Sequence, residues 1–280
     1  VVAVRVAEPG LAQDLRAVKV VMQRELIRFG QDRTRMISAM VQPVLFLFVL
    51  GAGLSSLTQG STGGIDLRTF MFPGVLATST LFTAMFSAIS IVWDREFGFL
   101  REMLVAPVRR SSIMVGKCLG GAVVATLQGC LILVLAPFVG VTLTPLLVLQ
   151  LVGMLVLLSF MLTALGLVIS ARVQQLQSVM GIMQMLLLPL SFLSGALYPI
   201  NDLPGWLDVA VHLNPITYGV WPVRHAVFEA LDASPEALAA LNPPLEWFGW
   251  PVPVALQLGI VAVLGLVFLA IAVAEFERVE

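Results

Sequence analysis

The chain has 280 residues, of which 59% are hydrophobic and only 12% charged, and its mean hydropathy is +0.97. This excludes an ordinary soluble domain with a solvated charged surface and matches a polytopic protein whose solvent is lipid. The formal net charge of −1 excludes nothing by itself, because the placement of Lys and Arg relative to the spans matters more than their sum.

At the start, Leu11, Leu15, Val18, Met22, Leu26 and Phe29 recur at helical spacing while Arg16, Lys19, Arg24 and Arg28 point elsewhere. At about 100° per residue the six apolar positions share an arc of roughly 80°. Residues 1–35 are thus expected to form a basic amphipathic helix on the inner leaflet, its cations near anionic headgroups. The short apolar core and small-residue cleavage site of a signal peptide are absent from this segment, so nothing is expected to be removed.

Five segments then lack Asp, Glu, Lys and Arg: 36–65, 69–93, 118–171, 173–201 and 247–274. A span needs about 20 apolar residues, so the third segment holds two, broken at "GVTLTP". The prediction is an all-α protein with a six-span domain over 36–280, the spans at 36–57, 70–93, 116–139, 145–170, 178–198 and 252–274. Cys118 and Cys130 lie about 18 Å apart on one helix, too far to pair, and read as packing residues.

Sorted among the connections, fourteen of sixteen basic residues fall in one set of alternate compartments and two in the other. The positive-inside rule puts both termini, the loop 94–115 and Arg172 in the cytoplasm. Both tyrosines and four of the five tryptophans crowd into 198–250, which agrees with an outer interfacial segment over 199–251. Asp208, His212 and Arg224, with Pro215 and Pro222, argue against a further full span there. Asn214 before Pro215 and Ser234 before Pro235 mark two helix starts. Such helices either act as a lid or stabilise the outer ends of the spans. Trp206, Asn214, Pro215 and Tyr218 are the candidate outer gate.

Inside the spans the polar groups are neutral: Gln42, Gln128, Ser159, Thr163, Gln184, Ser191 and Ser194. They serve either to bond neighbouring helices or to line a route for substrate. Pro43 and Pro189 loosen their helices, and Gly116 with Gly120 is a weak small-residue pair. No ionisable group sits at mid-span, which disfavours an ion-coupled carrier or channel. No HExxH, GxSxG, Cys/His metal spacing or GxxxxGK[ST] occurs, which disfavours an integral membrane enzyme and places any ATP binding on another chain.

The stretch "WDREFGFLREMLVAPVRRSSIMVGK" interrupts the apolar chain after the second span. On a helix over 94–104, Phe97, Phe99, Leu100, Met103 and Leu104 share a roughly 160° arc, with Asp94, Arg95, Arg101 and Glu102 opposite. Glu96 falls among the apolar residues and needs a donor or cation; Pro107 ends the helix, and Ser111 or Ser112 caps the next. The helix either docks a soluble partner or rests on lipid.

That stretch, followed by "LSGALYPINDLPGWL" and "LNPITYGVWPVRHAVF", resembles the permease subunit of type-2 ATP-binding-cassette exporters, a group with daunorubicin-resistance-type drug pumps and bacterial glycan and lipid exporters. The resemblance covers nearly the whole chain. It implies that 95–104, from Arg95 to Met103 and Leu104, is a coupling helix in which Phe97, Phe99 and Leu100 fill a cleft of the ATP-binding subunit while Glu96, Arg101 and Glu102 make charged contacts. Docking would then supply the partner that Glu96 needs. It also implies two ATP-binding subunits carrying ATP and Mg, a second permease copy or a similar permease, outer helices folded back between the fifth and sixth spans, and a bacterial cytoplasmic membrane. The expected function is export of a hydrophobic or amphipathic drug, lipid or lipid-linked glycan, with no catalysis, cofactor, metal or nucleic acid on this chain.

Overall fold

A computed structural model describes residues 10–53, 66–106, 108–196, 198, 204–231, 242–247 and 249–279. Helix α1 (Leu11–Gln31) ends at Asp32, whose carboxylate accepts the Arg35 N–H at 2.9 Å and so starts α2 (Arg33–Val44). Pro43 breaks the regular backbone ladder of α2, which passes into a π-helical turn at Leu45–Leu50 and on to Gly53.

Helix α3 (Leu67–Ala88) continues past Ile89 as α4 (Ser90–Glu96). The helix expected over 94–104 is not continuous. Gly98 takes a left-handed φ of 81°, which a Cβ would oppose, and separates α4 from α5 (Phe99–Val105). Pro107, the expected stop, lies outside the described residues.

Helix α6 (Arg110–Leu133) is followed by a 3₁₀ turn at Ala136–Val139, and α7 (Pro145–Arg172) starts on Thr144, whose hydroxyl accepts the Leu147 N–H at 3.2 Å. Neither Ser111 nor Ser112 caps α6; Asp14 of α1 instead accepts the Arg109 N–H at 3.2 Å. Helix α8 (Leu176–Phe192) is shorter than the expected span 178–198, because the chain turns away at Ser194 and Gly195 (φ 66°). Helices α9 (Gly205–Leu213) and α10 (Thr217–Glu229) follow, then a small antiparallel hairpin of β1 (Glu246–Trp247) and β2 (Trp250–Pro251), and finally α11 (Val254–Val279).

The protein is therefore all-α apart from that hairpin. Five helices are long and apolar enough to cross a membrane, and α8, with 17 residues, is a shorter apolar helix in the place of the remaining expected span. Asn214 does not cap at Pro215 as expected. It closes α9, donates to the Leu190 carbonyl at 2.8 Å, and accepts the Ile216 N–H at 3.1 Å just before α10. The start expected at Ser234 lies outside the described residues.

Helix α7 is the hub: α3, α6 and α11 all pack along it, α11 also meets α6, and α10 touches α3, α7 and α11. Unlike α9, α10 is buried over nearly its whole length. The guanidinium of its Arg224 donates to the Gly195 and Ala196 carbonyls at 2.6 and 2.9 Å and stacks over the Phe70 ring. This pins the turn after α8 onto α3 at Gly74, where an added Cβ would overlap the Ala196 carbonyl oxygen.

Gly74→Ala is therefore expected to lower stability by about 1–3 kcal/mol through overpacking. Gly153→Ala, with open space around the added methyl, is expected to leave the thermal midpoint in detergent unchanged or slightly raised. Equal midpoints for the two variants would contradict the packing described.

Candidate functional site

Helix α1 lies against α6, not only on a lipid surface. Gly116 and Gly120, one helical turn apart, make the approach possible: a Cβ on them would stand 2.8 Å from Val21 Cβ and 2.9 Å from Glu25 Cβ. The pair that looked weak in the sequence is the seat of α1. The apolar positions Leu11 and Leu15 stay exposed, while Asp14, Val21, Glu25 and Phe29 face inward.

This brings together charges from distant parts of the chain. Lys117 of α6 donates to Glu25 of α1 at 2.5 Å, to Asp94 of α4, and to the Ser90 hydroxyl at 3.2 Å. The other oxygen of Asp94 accepts from Arg24 at 2.7 Å, with Arg28 at 3.8 Å. The Asp94 and Lys117 side chains are almost wholly buried. Sequence reasoning placed Asp94 on a polar face and took Lys117 as a loop boundary, so this cluster is a correction. Its one visible signal was the i, i+4 spacing of Arg24 and Arg28 around Glu25.

The cluster fixes α5. Arg24 also lies over the Phe99 ring at 5.4 Å and donates to Met103 Sδ at 3.6 Å. Leu100 is buried in this chain's own core, and Met103 and Leu104 pack against it half-buried. Of the residues expected to enter a partner's cleft, Leu100 is thus an internal fastener. Phe97 and Phe99, 64% and 46% exposed, and Arg101 and Glu102 remain on the surface.

Arg95 and Glu96 also turn inward to this chain. Arg95 donates to the Val173 and Ala171 carbonyls at the end of α7, at 3.2 and 3.4 Å, and Glu96 accepts the Leu176 N–H that opens α8 at 3.1 Å. An acid at a helix start and a cation at a helix end each match the local dipole. The donor Glu96 needed is a backbone amide of its own chain.

Beside the cluster is a cavity of about 580 Å³ between α1, α2, α3, α6 and α8. Glu25, Arg28 and Ser90 join it to the ion cluster. Its walls combine aromatic rings (Phe29, Phe82, Phe86, Trp93) with a hydroxyl column at Ser79, Thr83 and Ser87. Of the seven residues proposed for a substrate path, Gln42 and Gln128 line this cavity. Ser159 is buried between α6 and α7, accepting from Thr126 at 3.3 Å, and Thr163 packs against Gly121. Gln184 is exposed on α8, and Ser191 and Ser194 bond backbone carbonyls at 2.9 and 2.6 Å. The column missed in the sequence carried a readable sign, hydroxyls at i, i+4 and i+8 with phenylalanines at 82 and 86 alongside.

At the far end, Trp206 is exposed, Asn214 and Tyr218 are buried and Pro215 is half-buried. The Tyr218 hydroxyl donates to the His212 carbonyl at 2.9 Å and accepts from Trp247 Nε1 at 3.1 Å, which ties the hairpin to the turn between α9 and α10. Among the described residues, no group of three or more His, Cys, Asp or Glu is placed to hold a metal ion.

A helical membrane bundle with a lateral cavity and a fastened, partly exposed loop helix has the build of a transport permease. The chain belongs to the ABC-2 type transporter family, which matches residues 16–228. It is 30% identical over 208 residues to the putative transport permease ycf38 of Cyanophora paradoxa, covering 73% of this chain and 72% of that one. It is 29% identical over 187 residues to nodulation protein J of Rhizobium leguminosarum bv. trifolii, covering 66% and 71%. It is 26% identical over 203 residues to the probable doxorubicin resistance ABC transporter permease protein DrrC of Mycobacterium tuberculosis (strain ATCC 25618 / H37Rv), covering 72% and 73%.

Removing Lys117 strands the buried Glu25 carboxylate and leaves the buried Asp94 with only Arg24 and Arg28. Lys117→Met is expected to cost roughly 3–5 kcal/mol, read as a large fall in the thermal midpoint of the purified chain. Arg172→Ala, which removes the exposed partner of Glu275, is expected to leave the midpoint near wild type.

Proposed function

We propose that this chain is the membrane-spanning subunit of an ATP-driven exporter. It moves a hydrophobic or amphipathic cargo outward across a bacterial cytoplasmic membrane, with both termini in the cytoplasm. Two copies of a separate subunit bind ATP and Mg and hydrolyse the nucleotide, and a second permease, identical or similar, completes the path. The chain itself performs no catalysis.

The observation that carries this reading is the state of α5. A short loop helix that exposes Phe99, Arg101 and Glu102, with Phe97 exposed just before its Gly98 break, is suited to a protein cleft, where aromatic residues bury area and charges set register. The same helix is held to the bundle by Leu100, by Arg24 and, through Asp94, by Lys117. A force applied to its outer face therefore reaches α1, α6 and the cavity floor. The membrane relatives named as an ABC transporter permease and as a transport permease agree with this assignment.

The cavity is the proposed cargo site, its aromatic wall and neutral polar column suiting a molecule with an apolar body and hydrogen-bonding groups. The outer segment, anchored by Tyr218 and Arg224, is the proposed gate.

The test is a reconstituted complex with the ATP-binding subunit from the same operon or genome. The double variant Phe97→Ser, Phe99→Ser is expected to weaken subunit association and lower cargo-stimulated ATP hydrolysis by about tenfold or more, with only a small fall in the thermal midpoint of the permease, because both rings are largely exposed and lose just the contacts to Trp93 and Arg24. Glu96→Ala is expected to act differently, lowering the midpoint by the loss of a cap worth about 1 kcal/mol. Full association and stimulation in the double variant would overturn the reading. Cargo movement by the chain alone in ATP-free vesicles would favour an ion-coupled carrier or channel.

A further inference from the structure

One group at the cavity wall is unaccounted for. Gln128 of α6 is fully buried, lines the cavity, and has no hydrogen-bond partner among the described residues at either Oε1 or Nε2. Burying an amide with both ends unpaired is costly, and folded proteins satisfy nearly all such groups. The hydroxyl column nearby does not engage it: Thr83 donates to the Ser79 carbonyl at 3.1 Å and Ser87 to the Thr83 carbonyl at 2.7 Å. Of the four charged residues at the cavity edge, Glu25 is held by Lys117, Asp32 accepts the Arg35 N–H, and Arg28 lies 3.8 Å from Asp94, while the Arg35 guanidinium is the fourth; none of them bonds to Gln128.

We propose that Gln128 is a specificity-determining contact for the cargo, completed when a ligand fills the cavity. An amide offers one donor edge and one acceptor and carries no charge. Its complement is an uncharged ligand that presents an acceptor and a donor side by side, such as a primary carboxamide, on a flat apolar body that meets the rings of Phe82 and Phe86. The amide lies buried behind the cavity surface, so engagement turns the Gln128 side chain toward the ligand. A ligand lacking the donor leaves the amide carbonyl buried and unpaired, and that penalty is the source of selectivity. This inference rests on reading the cavity as the cargo site.

The experiment uses the purified full-length chain in lipid nanodiscs without nucleotide. The probes are a dimethylamino-naphthalene fluorophore carrying a primary carboxamide and the same fluorophore carrying the N,N-dimethylamide. Wild type is expected to bind the primary carboxamide roughly tenfold or more tightly than the dimethylamide. Gln128→Leu is expected to bring the primary carboxamide to the level of the dimethylamide and leave the latter's affinity unchanged. Its thermal midpoint is expected to equal or exceed that of wild type, because an unpaired amide is replaced by an apolar group of similar size.

Equal affinities in wild type, a preference that survives in Gln128→Leu, no binding of either probe, or a clear fall in midpoint would each overturn the proposal. A fall in midpoint would mean that the amide has a partner within the protein or a fixed water. With ATP and the second subunit absent, failure here counts against Gln128 as a cargo contact. Failure of the exporter reading appears separately, as unaltered hydrolysis in the Phe97 and Phe99 variant.

Discussion

The α5 end of the bundle depends on one buried ammonium group. Lys117 has three N–H donors, and Glu25, Asp94 and Ser90 supply three acceptors from α1, α4 and the turn that begins α4. Bringing an ammonium out of water is expensive, and only this complete set of partners makes it tolerable. The cluster also requires a particular approach of α1 to α6, which Gly116 and Gly120 permit by having no side chain at the crossing. Register, crossing and charge thus specify one another. An apolar replacement of all the charged members would hold the helices together but would not select this alignment.

From that cluster, rigidity spreads by polar bonds between neighbouring elements. Asp94 passes it to Arg24, and Arg24 to Phe99 and Met103 of α5. The next two residues, Arg95 and Glu96, grip the end of α7 and the start of α8. Three consecutive charged residues therefore connect four helices. A segment made this way behaves as a joint: α5 does not swing freely on Gly98, since its Leu100 is anchored in the core, yet its aromatic side remains open. The left-handed glycine sets the angle at which that side is presented.

The sequence made some of this plain and hid the rest for physical reasons. The apolar runs announced the spans, because length and hydropathy are local properties of the chain. Where the helices end was less legible: α8 stops at Phe192 because Gly195 turns and Arg224, far along the chain, draws the turn onto Gly74. The cluster of Glu25, Asp94 and Lys117 showed only in the spacing of Arg24 and Arg28 around Glu25, since each residue alone resembles a solvated boundary charge and their meeting depends on the crossing of α1 and α6. Leu100 failed differently. Its position on the apolar arc was right, but an arc says which residues are buried, not whether the burying surface belongs to the same chain or to another. Among the path residues, Gln42 and Gln128 were separable from Ser159 and Thr163 only by knowing which faces of α2, α6 and α7 meet.

The two ends of the bundle are held by different physics. At the α5 end opposite charges meet within hydrogen-bond distance, whereas at the α10 end the buried Arg224 has, among the described residues, only carbonyl oxygens and the Phe70 ring as partners, with its Nε unpaired among them. Ion pairs with hydrogen bonds are stronger than a cation among neutral dipoles, and breaking them strands two charges instead of one. Between the ends, α2 carries a proline followed by a π-helical turn, and the hydroxyls of Thr78, Thr80, Thr83 and Ser87 bond back to their own helix, not across to a neighbour. Few polar bonds therefore resist a change of spacing around the cavity. Among the described residues, separating the helices at the α10 end breaks hydrogen bonds to carbonyls and a cation–ring contact, whereas separating them at the α5 end breaks the buried ion pairs of Lys117 with Glu25 and Asp94.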